Sequence, residues 1–262
     1  MKPKTNKTFY IVLIVILSVV TLGLIALLVI GIANKGFGIN ASNVSTNLVL
    51  EREYSLEDFD KIDAKVKSGN VTIHSTKDES ATVKFFADKS SAADVAKSDN
   101  TLYINDRSDD CYFICIGLKS VSVEVYLPES YDGEIKIDLD AGSTIVEDFI
   151  NADFDINSDM GDVSLGAAKN IFANLDMGKL TVADCYGKIT VQDDMGDVEI
   201  KNLHLAHDSE IKLDMGSISI DNVGDVRVDA EVDLGSKHVD GGNYKADTVL
   251  KIRNSMGDIT VR

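Results

Sequence analysis

Leu175-Asp176-Met177-Gly178 recurs almost unchanged as Leu213-Asp214-Met215-Gly216. Related four-residue units end at five further glycines, and the intervals between successive glycines are 19, 17, 18, 20, 19 and 22 residues. The seven glycines are Gly142, Gly161, Gly178, Gly196, Gly216, Gly235 and Gly257. A period of about 20 residues is typical of a solenoid, in which each repeat is one coil that buries its apolar face against its neighbours.

Apolar and polar residues alternate on both sides of each glycine. Around Gly178 the apolar positions run from Ile171 to Leu175 and resume at Leu180 and Val182. This period of two is typical of half-buried strands, and the glycine suits a bend or bulge between them. Methionine directly before the glycine, as at Met177, continues the alternation and is predicted to point into the core. We predict an all-β, parallel β-solenoid (β-helix-like) with two strands and about 20 residues per coil.

A long uncharged segment precedes the repeats. Residues 9–32 contain no charge, whereas residues 1–8 contain three lysines. About 20 apolar residues suffice for a transmembrane helix, and the apolar core of a cleavable signal peptide is shorter. Only Lys35 follows closely, so the charge bias places the N-terminus in the cytoplasm. We predict a single-pass plasma-membrane protein with a cytoplasmic tail (1–8), one N-terminal transmembrane signal anchor (9–32) and an extracytoplasmic remainder.

The extracytoplasmic part divides further. Residues 33–50 are rich in Gly, Ser and Asn and are predicted to form a stalk, and residues 51–262 the solenoid. Gly69 fits the coil pattern, but the next match is Gly142, so residues 51–135 are predicted to be an elaborated N-terminal cap. Within the cap we predict strands at 81–86, 101–105 and 121–127 and a loop or short helix at 90–97.

The chain is strongly acidic. It carries 43 acidic and 26 basic residues, a net charge of −17. Without the three lysines of the predicted tail, 23 basic residues remain and the net charge is −20. Such a surface excludes nucleic acid as a partner and is compatible with cations or basic peptides. Carboxylates also keep sheet edges soluble, which is the simpler explanation.

The three cysteines fall into two groups. Cys185 lies seven residues after Gly178, a position that holds apolar residues in the other coils, and is predicted to be buried in the core. Cys111 and Cys115 are about 13 Å apart in an extended strand, which is too far for a disulfide. A turn would bring them within reach, so a disulfide and two free thiols both stay open.

Two series of aspartates accompany the glycines. In the first series, each aspartate lies two residues before a glycine, and the alternation predicts that its side chain points outward. These aspartates should form a column with a spacing of about 4.8 Å. They are Asp140, Asp159, Asp176, Asp194, Asp214 and Asp233. Those directly after a glycine are Asp162, Asp197 and Asp258. We favour a structural role in turns. The alternative is calcium binding, with Asp159, Asp176, Asp194 and Asp214 as the candidate ligands.

One coil departs from the pattern. Lys237 occupies a position that is apolar in the other coils, two residues after Gly235. A bulge that turns this lysine outward is the favoured interpretation, since an unpaired buried charge is costly.

The order of the motifs resembles a known family. Phe59–Ile62 and Ser68–Ile73 open a pattern that continues through Asn100–Ile104 and Val121–Pro128 into the glycine repeats. This pattern resembles the bacterial "putative adhesin" domain-of-unknown-function family, the LiaG-like β-strand-repeat proteins, over roughly residues 50–262. The resemblance implies a parallel β-solenoid in the cell envelope and supplies no agreed catalytic or binding residues.

Together these observations predict a membrane-anchored, non-enzymatic cell-envelope solenoid that acts as an adhesin-like binding or structural module. No cofactor is expected, apart from the calcium alternative. The expected partner is an envelope polymer or a membrane protein, besides the membrane itself through residues 9–32. Two alternatives stay open: an accessory component of an envelope-stress response that acts through a membrane partner and, more distantly, a glycan-active enzyme.

Overall fold

A computed structural model describes residues 47–55, 59–87, 93–106 and 121–262. Every regular element in these ranges is a β-strand, and the strands form one 14-stranded hydrogen-bonded sheet around a shared core. Among these residues no helix is long and apolar enough to cross a bilayer. The predicted tail and anchor (1–32) lie outside the described residues, as do Cys111 and Cys115.

The strands vary widely in length. They are β1 (Leu48–Ser55), β2 (Lys61–Thr76), β3 (Ser80–Phe86), β4 (Ala93–Ser98), β5 (Thr101–Asp106), β6 (Val121–Pro128), β7 (Glu134–Val146), β8 (Phe149–Leu203), β9 (Ser209–Met215), β10 (Ile218–Val223), β11 (Arg227–Leu234), β12 (Lys237–Val239), β13 (Val249–Met256) and β14 (Ile259–Val261).

Parallel pairing between successive repeats confirms the solenoid. β7 pairs with β8 in register from Glu134↔Asp153 to Val146↔Leu165, an offset of one repeat. β8 is 55 residues long and contains three of the repeated glycines without an interruption. Further along, each coil separates into two strands, with β9 before the glycine and β10 after it. The predicted coil of about 20 residues with two extended segments is therefore correct.

The alternating apolar positions form the core, as predicted. Leu175, Leu180 and Val182 are at most 1% exposed and belong to the single hydrophobic cluster that runs through the domain. Burial of a side chain of this size stabilises the fold by roughly 1.5–3 kcal/mol. Because each coil contributes several such residues, stacking supplies the core that one coil cannot form alone.

The repeated glycines stack on one another. Gly178 has φ +149°, and a Cβ there would overlap the carbonyl oxygen of Gly161 in the preceding coil. Gly196 approaches Gly178 in the same way, and Gly216 approaches Gly196. Glycine is therefore required at the bend for two reasons: its φ, which other residues rarely adopt, and the close approach of adjacent coils.

The methionines before the glycines do not lie in the core, and that prediction is wrong. Met177 is 49% exposed, although Leu175 two residues earlier is buried. The bend begins immediately after Leu175, so Asp176 and Met177 are both exposed and the alternation is interrupted. A period of two holds only while the backbone stays extended.

Both ends of the solenoid depart from sequence order. At the C-terminal end, β14 pairs with β10 and β12, and β13 pairs with β9 and β11, so the last coil lies between the two that precede it in sequence. At the N-terminal end, β2 lies between β7 on one side and β5 and β6 on the other. The first and last coils are thus internal, and their sequence neighbours form the ends.

This order explains Lys237 without the predicted bulge. β12 pairs with β14 in regular register, with Lys237 opposite Ile259. The coil that contains Lys237 is the outermost at this end, and the side chain is exposed. Its Nζ donates to the carbonyl oxygen of Ala230 at 2.8 Å, so it covers the end of the stack.

The cap contains the three predicted strands and two that were not predicted, β1 and β4. β3, β5 and β6 match the predicted segments, but β4 is a strand where a loop or short helix was expected over 90–97. β4 and β5 form an antiparallel hairpin through Asp99 and Asn100, both with positive φ as a type I′ turn requires. At the domain's start, β1 begins at Leu48, inside the segment predicted as a stalk.

Candidate functional site

A line of exposed methionines follows one edge of the solenoid, and we call it the methionine ladder. Its members precede the glycines of consecutive coils and are 44–55% exposed: Met160, Met177, Met195, Met215 and Met256. The chain has six methionines, so the ladder contains all of them except Met1. All five methionines after Met1 therefore belong to one surface feature.

Parallel register places the ladder residues side by side. Met195 pairs with Met215, and Met215 with Met256. Adjacent strands are about 4.8 Å apart, and paired residues of parallel strands point to the same side. The ladder ends in Ala141 opposite Met160 and in Leu234 opposite Met256. The result is a continuous row of apolar residues across seven coils.

Such a surface is unusual on a domain of this charge. Exposed apolar residues are common singly, but contiguous ones mark interaction sites. Methionine is unbranched and polarisable, which makes it adaptable at binding surfaces. The ladder is therefore the strongest candidate for a binding surface within the described residues.

The aspartate column runs beside the ladder. Asp159, Asp176, Asp194, Asp214 and Asp233 are all exposed, as their parity predicted. None of the five forms an ion pair within the described residues. Cations of the described residues therefore do not neutralise these charges.

The predicted metal candidates do not converge on a common point. Asp159, Asp176, Asp194 and Asp214 belong to successive coils, and among the described residues no three His, Cys, Asp or Glu side chains are grouped closely enough to hold a metal ion. Calcium binding by the column stays a prediction.

The second series of aspartates stabilises the contact between coils. Asp162 Oδ1 accepts a hydrogen bond from the backbone N–H of Lys179 at 3.0 Å, and Asp197 Oδ1 accepts one from Ser217 at 2.9 Å. Asp258 Oδ1 accepts from both the N–H and the hydroxyl of Ser236, which lowers the pKa of that carboxyl. These three aspartates therefore have a structural role between coils, whereas the role that we predicted for them was within turns.

Asp193 is a buried carboxyl that was not among the predicted site residues. It occupies the inward position three residues before Gly196, is 1% exposed, and accepts the N–H of Met195 through Oδ1 at 3.1 Å. Its Oδ2 is buried without a hydrogen-bond partner. Burial raises the pKa of Asp193 to about 6, and the backbone hydrogen bond opposes this only in part.

Cys185 and His204 pack against other residues of the solenoid. Cys185 is fully buried in the predicted core position, and burial raises the pKa of its thiol to about 11. The ring of His204 stacks on Tyr186 in the preceding coil, with centroids 5.2 Å apart. These contacts give both side chains a role in packing rather than in chemistry.

The sequence contains a sign of the exposed ladder, although the alternating pattern indicated that these methionines are buried. Five methionines at one repeat position, with none elsewhere after Met1, is a compositional bias that core packing does not require. Cores accept Leu, Ile and Val equally well at such positions. The correct interpretation of the bias required the position of the bend.

Comparisons with known proteins agree with this fold. A family model described as Toastrack DUF4097 matches residues 59–262. A putative adhesin from Bacteroides fragilis NCTC 9343 is similar over 83% of this chain and 98% of its own, with 20% identity and a TM-score of 0.51. A putative cell adhesion protein from Clostridium sporogenes ATCC 15579 is similar over 81% and 98%, with 14% identity and a TM-score of 0.43. No curated protein matches the chain.

Proposed function

The chain belongs to the Toastrack DUF4097 family, and from this premise we propose that it is a membrane-anchored, non-enzymatic binding module of the cell envelope. Its solenoid presents the methionine ladder to a protein partner. Anchoring rests on the uncharged segment 9–32 and the lysines before it. The adhesin-like assignment is supported by the similar fold of the Bacteroides fragilis protein that is described as a putative adhesin.

The methionine ladder is the observation that carries this proposal. Its five methionine side chains are about half exposed, so they can lose further contact with water when a partner binds. Burial of apolar area on association is favourable by about 25 cal/mol per Å² before the entropic costs of binding. A contiguous ladder offers this gain along several coils at once.

The aspartate column indicates the character of the partner. Anionic envelope polymers are repelled by a row of uncompensated carboxylates, because like charges at this spacing are unfavourable. A protein with an apolar strip flanked by Lys or Arg is complementary to both rows. We therefore assign a protein partner, rather than a polymer, to this surface.

The test uses the full chain in proteoliposomes and isolated envelopes from cells that lack it. The triple variant Met177→Gln/Met195→Gln/Met215→Gln keeps the length of each side chain and removes its apolar character. We expect cosedimentation with envelopes for the unaltered chain and at least a tenfold weaker association for the triple variant. The control is Lys201→Gln/Lys251→Gln, two exposed changes away from the ladder that should have no effect.

Protease treatment of the envelopes distinguishes the two classes of partner. Loss of binding after digestion of envelope proteins supports a protein partner. Unchanged binding after digestion, or unchanged binding by the glutamine variant, contradicts the proposal. Turnover of envelope polysaccharide by the purified chain would contradict the non-enzymatic assignment.

A further inference from the structure

We propose that the methionine ladder is also a binding site for a soft monovalent metal ion, copper(I), held by thioether sulfurs of adjacent coils. Silver(I) is its redox-stable analogue. This inference concerns the sulfur atoms and does not depend on the protein partner proposed above.

The residue type at the ladder is the first argument. An apolar docking surface does not require sulfur, and the terminal rung opposite Met256 is in fact a leucine, Leu234. Nevertheless the five inner rungs from Met160 to Met256 are all methionine, while the buried core contains no methionine among the described residues. Besides its flexibility, methionine offers a soft thioether ligand that leucine lacks, and such ligands select copper(I) over harder ions.

Register supplies the second argument. Met195, Met215 and Met256 lie on three adjacent strands in direct register. Rungs are about 4.8 Å apart, and two metal–sulfur bonds of about 2.3 Å span a similar distance. Because methionine has three rotatable side-chain bonds, neighbouring sulfurs can turn toward one ion from the two sides.

Access and charge supply the third argument. The three side chains are 44–46% exposed, so an ion reaches the sulfurs without any opening of the fold. The neighbouring carboxylates of Asp194 and Asp214 make no ion pairs in the described structure, and they raise the local concentration of cations. Hard carboxylate oxygens do not themselves favour copper(I), so the sulfurs determine which ion is bound.

Cys185 is a poor competitor for the metal. It is fully buried, and the raised pKa of its thiol disfavours the thiolate that binds metals. Cys111 and Cys115 are removed by Cys111→Ser/Cys115→Ser in every protein used for the test. The remaining ligands for a soft ion are then methionine, the buried thiol and imidazole, and the methionine methyl resonances distinguish the first from the other two.

The experiment uses the full chain in detergent, labelled with ¹³C at the methionine methyl groups. Silver(I) is added in chloride-free buffer, and copper(I) is added without oxygen in competition with a chromophoric chelator. We expect saturable shifts of the ladder methyl resonances, with Met1 as the unshifted internal reference. Equal shifts for Met1 and the ladder, or no shift of the ladder, would overturn the proposal.

Two triple variants separate the metal site from the docking surface. Met195→Leu/Met215→Leu/Met256→Leu keeps the apolar ladder and removes three sulfurs, so we expect at least a tenfold loss of silver(I) and copper(I) affinity with envelope association retained. Met195→Gln/Met215→Gln/Met256→Gln should lose both properties. Undiminished metal affinity in the leucine variant would overturn this inference, whereas envelope association that survives in the glutamine variant contradicts only the proposed function.

Discussion

The inward position three residues before the glycine shows how single side chains modify a repeated coil. Leu175 fills it with an apolar group, whereas Asp193 and Asn254 fill it with polar ones. Asn254 accepts the N–H of Met256 and donates through Nδ2 to the carbonyl oxygen of Gly216 in the adjacent coil at 2.8 Å. Asn254 therefore satisfies both of its side-chain polar atoms.

Asp193 makes the first of these hydrogen bonds but, when ionised, cannot make the second. A Cβ on Gly196 would contact both Asp193 Oδ2 and the carbonyl oxygen of Gly178. In the same way, a Cβ on Gly257 would contact both Asn254 Nδ2 and the carbonyl oxygen of Gly216. Asp193 Oδ2 therefore occupies the place that the donor Nδ2 has in Asn254. An ionised carboxylate has no proton to donate there, whereas a protonated carboxyl does. Burial is the main reason why the protonated form is favoured in the folded state, and the missing donor adds to it.

We predict that Asp193→Asn stabilises the protein in a pH-dependent manner. The folded-state pKa is about 6, above the ordinary value of 3.8, so ionisation costs stability as pH rises from about 4 to 6, and this cost persists at higher pH. Asparagine removes it, and we expect a gain of about 2 kcal/mol at pH 7.5 that nearly disappears at pH 4. Urea unfolding at both values measures the difference.

Asp194→Asn is the matched control because it removes the same charge from an exposed position. It reports the general relief of charge repulsion in an acidic protein. A gain for Asp193→Asn that is equal at pH 4 and pH 7.5, or no larger than that of the control, would contradict the assigned role.

At the level of the element, the bend determines what each repeat exposes. We predict that Leu175→Asp destabilises the fold by several kcal/mol, because it buries an unpaired charge. Met177→Asp, two residues away and about half exposed, should change stability by about 0.5 kcal/mol or less. Denaturant unfolding in moderate salt compares the two. Similar losses would mean that the methionine is internal after all.

Leu175 and Met177 also show which features of the structure could be predicted from the sequence. Alternation located the buried residues correctly because it reflects an extended backbone, and it located the aspartate column for the same reason. It failed at Met177, where the chain bends and two successive side chains point outward. It also missed β4, although the Asp99-Asn100 pair is a turn that a hairpin uses.

The order of the coils was beyond prediction for a different reason. All coils carry nearly the same apolar pattern, so the sequence contains little to indicate which coil pairs with which. The insertion of β13 and β14 between earlier strands is a long-range arrangement in which Gly257 stacks on Gly216, as the glycines of the other paired coils do. Lys237 was a local sign of the exposed end, but it fits a bulge equally well.

Calcium binding to the aspartate column is tested by thermal unfolding. If a bound calcium ion bridges neighbouring carboxylates, stability rises by about 2.7 kcal/mol at a hundredfold excess over Kd. We expect instead that calcium raises the melting temperature no more than magnesium at matched ionic strength, because salt screens like charges. A calcium-specific rise that is lost in Asp176→Asn/Asp194→Asn would establish the site.

At the level of the whole chain, the predicted topology makes the C-terminus extracytoplasmic. We expect a cysteine added after Arg262 to react with an impermeant thiol reagent on intact cells, in the background Cys111→Ser/Cys115→Ser. The untagged background is the control, and it should be silent because Cys185 is buried. Labelling only after lysis would reverse the orientation and remove the basis for an envelope function.

The insertion of the first coil between later ones has a mechanical consequence for a protein held at one end. Tension applied through residues before Leu48 first loads β1, which among the described strands pairs with β3 alone, so its hydrogen bonds can break one after another. β2 comes next, and it is hydrogen-bonded to β7 on one side and to β5 and β6 on the other. Its extraction must shear two rows of hydrogen bonds together, so a pulled domain should yield briefly and then resist.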